Sequence, residues 1–190
     1  MRVIVIIPPA PVVTLERAKQ HLRVDAADDD ALIAAMIAAV TNHLDGPQGW
    51  LGRSLGIQTL EARFSIFDLP RRLVLPFPPS IELVSVKYLG VDDVERVADL
   101  EDLELLGAEI VPAGSMLPWE GCSVRREAIR VRYKAGYAEL PPAIAAAILL
   151  MVGDLYANRE GVIAGASAAA IAIPMSTTAE ALLGPFRVFR

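Results

Sequence analysis

The pentapeptide Gly52-Arg53-Ser54-Leu55-Gly56 has the G-x-S-x-G spacing of a nucleophile elbow, which lifts a serine hydroxyl on a strained strand-to-helix turn for acyl transfer. Here the flanks are reversed, with helical periodicity before Ser54 and strand alternation after it. The two histidines, His21 and His43, both stand upstream, whereas that fold places its histidine last. Hydrolase chemistry is therefore not expected. Asp25, Asp28, Asp29 and Asp30 could gather a hard cation, but an EF-hand loop begun at Asp25 needs Gly sixth and Glu twelfth, where Asp30 and Met36 stand. The run reads instead as a helix start, where the dipole favours carboxylates. His43 has no second ligand on its helical face. The single Cys122 excludes a thiolate zinc set and a disulfide scaffold. No phosphate-cradling glycine loop follows a strand. The expectation is a non-enzymatic chain with no catalytic residue, metal or cofactor.

Arg125, Arg126, Arg130, Arg132 and Lys134 are the strongest nucleic-acid candidates, because three of them alternate along one strand and could line up phosphate contacts. They also fit a solvated strand face. The reading favoured among the functional ones pairs them with an acidic stretch of a neighbouring subunit. Asp92–Glu104 carries seven acids against Arg96 alone, and it accounts for the whole formal charge of −5. A nearly neutral, apolar protein with one acidic patch is not by default a polyanion binder.

At 190 residues and 54% hydrophobic content, the chain suits one well-cored domain or a domain with an insertion. The run Val3–Ile7 ends at Pro8-Pro9, short of the 7–15 apolar residues of a signal sequence. Ala143–Gly153 is likewise shorter than the roughly 20 residues a bilayer demands. A soluble protein of a reducing compartment is expected, with no membrane partner. Thr14 is a fitting N-cap for Leu15–Leu22. Asp28–Asp30 opens a second helix whose stripe is Leu32, Ile33, Met36, Ile37, Val40 and Leu44, and Gly46-Pro47 stops it. From residue 57 the period becomes two: Leu60, Ala62, Phe64 and Ile66 alternate with Glu61, Arg63 and Ser65. Glu82–Leu89 and Ala128–Ala135 read as further strands.

Pro141-Pro142 starts a long helix reaching about Asn158. Its first three turns are apolar on every side, and such a helix must be buried all round. A small chain is short of material to do that alone, so an oligomer is expected. Residues 161–173 carry no charge, and Thr177–Leu183 suggests one or two helical turns. The fold class is thus α+β: a helical core of two N-terminal helices and a long C-terminal helix, with a small antiparallel β unit inserted. The divisions are an arm at 1–13, the core at 14–56 and 138–160, the insertion at 57–137 and a docking tail at 161–190.

Val13-Thr14-Leu15-Glu16-Arg17-Ala18-Lys19-Gln20-His21-Leu22-Arg23-Val24-Asp25, with the following aspartates and Ala/Ile-rich helix, resembles the opening of one family. That family is the head–tail connector (head-completion adaptor) proteins of long-tailed bacteriophages and gene transfer agents. Gly52–Leu55 with Gln58-Thr59, Leu73–Pro79, Val84–Leu89, Ile129–Tyr137, Pro141–Glu160 and Leu182–Arg187 extend the resemblance in order along residues 12–190. It implies a structural subunit of a ring, commonly of twelve copies, at the head–tail junction of a virion or phage-like particle made in a bacterial cytoplasm. The implied partners are further copies, the portal protein and a tail-proximal connector or stopper protein, with DNA passing through the lumen without specific binding. Ile144, Ile148, Met151, Leu155, Tyr156, Arg159, Leu182, Leu183, Phe186 and Arg187 would face neighbours or the portal. Asp99, Glu101, Asp102, Arg130, Arg132 and Lys134 would pair between subunits or line the lumen. The rival reading is a DNA-binding accessory protein using Arg125–Lys134.

Overall fold

The computed structural model describes residues 1–66, 73–114, 119, 121–158 and 175–189. Arg159 and the charge-free stretch at 161–173 lie outside the described residues. The chain is α+β, with antiparallel sheets and, among the described residues, four α-helices. It divides into two compact units: Met1–Ala10 with Gly56–Ala138, and Pro11–Leu55 with Glu139–Arg190.

The first unit is the β unit. Its five-stranded sheet runs β1 (Arg2–Ile7), β2 (Gln58–Phe64), β8 (Ile129–Ala135), β4 (Ser80–Leu89), β5 (Glu95–Ala98). A three-stranded sheet runs β3 (Leu73–Val74), β7 (Glu109–Pro112), β6 (Leu103–Leu106). The two share one core, in which Leu60, Val86, Val131 and Tyr133 join Leu73, Leu103, Ile110 and Trp119. Tyr133 is fully buried and its hydroxyl donates to the Pro76 carbonyl at 2.5 Å, so the phenol brings no unsatisfied group into the core.

One expectation is corrected here. The N-terminal residues are not a separate arm: Arg2–Ile7 pairs antiparallel with β2. Its apolar, β-branched run belongs to a strand, and Pro8-Pro9 ends it by removing ladder donors. The acidic stretch, assigned no element from sequence, forms β5, a turn and the start of β6. Only Glu95 and Arg96 of its charges lie on β5, a four-residue edge strand too short to show alternation.

The second unit is helical. The Thr14 side chain accepts from the Arg17 amide and starts α1 (Leu15–Leu22). In α2 (Asp30–Leu44) the buried residues are Ile33, Met36, Ile37, Val40, Thr41 and Leu44, spaced three and four apart on one face. Leu32, assigned to that stripe from sequence, is exposed. Pro142 opens α3 (Pro142–Ala157), and Ser176 caps α4 (Thr177–Leu183) through the Ala179 amide. No helix among the described residues is long and apolar enough to cross a membrane.

Helix α3 packs against α1, α2 and α4 within the single chain. Ile144, Ile148, Met151 and Val152 are 0% exposed. Each such side chain contributes about 1.5–3 kcal/mol of burial. The all-apolar helix is therefore covered by its own chain, and its composition is no argument for an oligomer. Part of that cover is α4, which comes from the far end of the chain.

Candidate functional site: an ion-paired sheet face and a clasped tail

Along β8, Ile129, Val131, Tyr133 and Ala135 enter the core while Arg130, Arg132 and Lys134 occupy the opposite face. The register sets these cations beside carboxylates on three other strands. Arg130 Nη1 lies 3.2 Å from Glu95 on β5, Arg132 Nη2 2.8 Å from Glu61 on β2, and Lys134 Nζ 2.6 Å from Glu82 on β4. Just before β8, Arg125 reaches Asp93 at 3.3 Å. Glu95 also binds Lys87 at 3.0 Å, and Asp92 holds Arg96 at 2.7 Å. The three strand cations thus have partners in their own chain, which removes the need for a neighbour's acids to neutralise them. Asp99, Glu101 and Asp102 are exposed and outside this network; Asp99 Oδ1 accepts from the Glu101 amide at 3.0 Å.

Glu61 is the centre of the face. Sequence alternation put it towards water, yet it is 6% exposed, with Arg63 at 2.8 Å on one carboxylate oxygen and Arg132 at 2.8 Å on the other. Burial alone pushes its carboxyl up, but the hydrogen bonds from Arg132 and Arg63 and their charges outweigh this and hold it below the usual range. Arg63 continues the chain to Glu127 at 3.0 Å, and Glu127 to Arg2 at 3.7 Å. Hydrogen bonding by Arg63 lowers the Glu127 carboxyl, and Lys87 does the same for Glu95. Cross-strand partners far apart in sequence leave no local signal, which is why Glu61 was not singled out.

The remaining proposed interface positions are in the helical unit. Ile144, Ile148, Met151, Leu155 and Leu183 are buried in the single chain, so they are core residues rather than free contact surface. Tyr156 is half-buried, and its hydroxyl donates to Asp29 at 2.5 Å. Asp29 therefore holds α3 instead of capping α2, and Asp30 pairs with Lys19 at 2.5 Å. Leu182, Phe186 and Arg187 are half-buried and Phe189 is exposed.

The end of the chain is clasped to the loop after α2. The Val188 amide donates to the Leu51 carbonyl at 2.9 Å, Arg53 Nε donates to the Phe186 carbonyl, and the Arg187 guanidinium lies 4.1 Å from the Trp50 ring centroid and 4.8 Å from that of Phe189. Gly52 permits the approach: its φ is +64° and a Cβ would stand 2.7 Å from the Val188 carbonyl oxygen. Gly52→Ala is expected to loosen the clasp by about 1–2 kcal/mol. Limited proteolysis after Arg187 should accelerate roughly tenfold, and an unchanged cleavage rate would contradict the clasp.

Ser54, in the same loop, is 0% exposed and its Oγ has no hydrogen-bond partner among the described residues. A hydroxyl so placed is not presented on an elbow. Asp45 braces the loop by accepting from the Leu55 amide.

Residues 12–75 match the family model described as phage gp6-like head-tail connector protein. No curated protein sequence matches the chain. Solved structures match over its full length. A chain from the neck of an empty gene transfer agent (GTA) particle computed with C6 symmetry is 20% identical, with a TM-score of 0.73, covering 100% of this chain and 97% of that one. One from the neck of a native particle computed with C12 symmetry is 18% identical with a TM-score of 0.66, and one from the virion of a native particle is 20% identical with a TM-score of 0.66, at the same coverages. At these identities the likeness is one of fold.

Proposed function

We propose that this chain, which carries the head–tail connector pattern in residues 12–75 and the fold of gene-transfer-agent neck chains along its length, is a structural connector subunit in the neck of a phage-like particle. The carrying observation is that a sequence comparison and a fold comparison point to one role. In this reading twelve copies close into a ring beneath the portal, by head-to-tail contacts that return on themselves. The ring extends the DNA channel and offers its far side to the tail-proximal connector or stopper protein. It performs no chemistry.

The charge arrangement supports this role. DNA in transit must not be gripped, and a cation held by a carboxylate has little left to displace counterions from phosphate. Arg125, Arg130, Arg132 and Lys134 all have such partners. Exposed Asp99, Glu101 and Asp102 would repel a phosphate backbone at the lumen. Among the described residues, Tyr156, Leu182, Phe186 and Arg187 are the half-buried members of the set proposed to face neighbours or the portal, and the buried positions of α3 support them from the core.

Electron microscopy of portal-bearing heads incubated with the purified chain should reveal a ring beneath the portal. Heads that gain no such density would refute the role. The same preparation should show no salt-sensitive affinity for duplex DNA at about 0.15 M salt. Tight, salt-sensitive binding there would favour the accessory DNA-binding reading instead.

A further inference from the structure

The five-stranded sheet has two unlike edges, β1 and β5, and among the described residues no strand lies beyond either. An edge presents unpaired N–H and C=O groups, and stable monomers blunt it with charge, Pro or a bulge. These edges are only partly blunted. Val5, Ile6 and Ile7 on β1 are 40%, 39% and 58% exposed, and Val97 on β5 is 66% exposed. The regular part of β1, Arg2–Val5, is four residues long before its bulge, and β5, Glu95–Ala98, is four residues long. The charges on both edges are held within the chain, Arg2 by Glu127, Glu95 by Lys87 and Arg130, and Arg96 by Asp92, so the apolar residues are what each edge leaves open.

We propose that β1 of one copy adds to β5 of the next, so that the sheet continues from subunit to subunit around the ring. The two edges of one chain match in length and both carry exposed β-branched residues, which fits a second copy as the occupant. Every neighbouring pair in the sheet is antiparallel and there are five strands, so β1 and β5 run in the same direction. Head-to-tail addition therefore forms a parallel junction, whereas pairing of two β1 edges about a twofold axis would be antiparallel and would stop at a dimer. At about 4.8 Å per strand each copy supplies about 24 Å of arc. Twelve copies then close on about 290 Å, ample for a wall around a duplex.

This inference rests on the connector reading, and cross-linking on portal-bearing heads tests the two separately. An Ile4→Cys/Val97→Cys chain treated with a short bis-maleimide should give a ladder of covalent multimers. Ile4→Cys alone should give none, and the parent chain controls for buried Cys122. Dimers from Ile4→Cys alone, or rings without a ladder from the double variant, would overturn edge addition while leaving the ring intact. Ile6→Lys and Val97→Lys, each with the parent's circular dichroism, should each abolish ring density. Normal rings from either would also overturn the junction. If the parent chain itself builds no ring, the connector reading falls and this inference with it.

Discussion

Gly136→Ala is expected to cost about 3–5 kcal/mol, a large share of the roughly 5–15 kcal/mol by which a domain is typically stable. Gly136 follows directly on β8, and its amide donates to the Pro79 carbonyl at 2.9 Å. Its φ is +126°, a region L-residues rarely enter, and a Cβ would sit 2.1 Å from the Gly56 carbonyl oxygen and 2.7 Å from the Ile57 amide nitrogen. Both obstacles are backbone, so no rotamer change relieves them. Gly107→Ala is the control, since its φ of +65° carries conformational cost but nothing lies within 4 Å of a Cβ. It should lose only about 1 kcal/mol. The two tryptophans separate the units, with Trp119 in the β core and Trp50 in the helical unit. In a Trp50→Phe background, urea unfolding followed at Trp119 should show a large drop in midpoint for Gly136→Ala and a small one for Gly107→Ala. Equal shifts would mean the collision is relieved by backbone movement.

What the sequence discloses depends on whether the deciding contact is local. Thr14 caps α1 and Pro142 opens α3 because the groups involved lie within one turn. The faces of β8 follow from alternation alone, since a strand buried on one side must alternate. Strands β1 and β5 were missed for opposite reasons: one is almost wholly apolar and ends at a Pro pair, the other is four residues long, half of them charged. Each is defined by its partner rather than by its own period. The same holds for the candidate surfaces. The charges on β8 were visible, but the identities of their partners depend on register between strands up to 71 residues apart, as Glu61 and Arg132 are. The all-apolar α3 was legible as buried; what buried it was not, because α4 reaches it from the far end of the chain.

Glu61→Gln is expected to lower stability at pH 7 by about 2 kcal/mol, and to reproduce in one substitution what acid does to this carboxylate in the parent. The folded pKa of Glu61 lies below its unfolded value of about 4.3. Its contribution is therefore fully present above the unfolded value and disappears as pH falls through the lower folded value. Glu95 and Glu127 are shifted in the same direction and add to the slope. The parent should lose stability progressively below about pH 5, and Glu61→Gln should show a shallower acid limb, with the two curves converging at the lowest pH. Parallel curves would mean that Glu61 is not held ionised by its partners. The cost stays below that of a fully buried pair because both arginines can recover water: their side chains are 26% and 42% exposed. Those arginines are not equivalent. Arg63 retains Glu127 when Glu61 is neutralised, whereas the described ion pair of Arg132 is with Glu61. In double-mutant cycles with Glu61→Gln, Arg132→Ala should therefore couple more strongly than Arg63→Ala. The reverse order would place the centre of the network at Glu127 instead of Glu61.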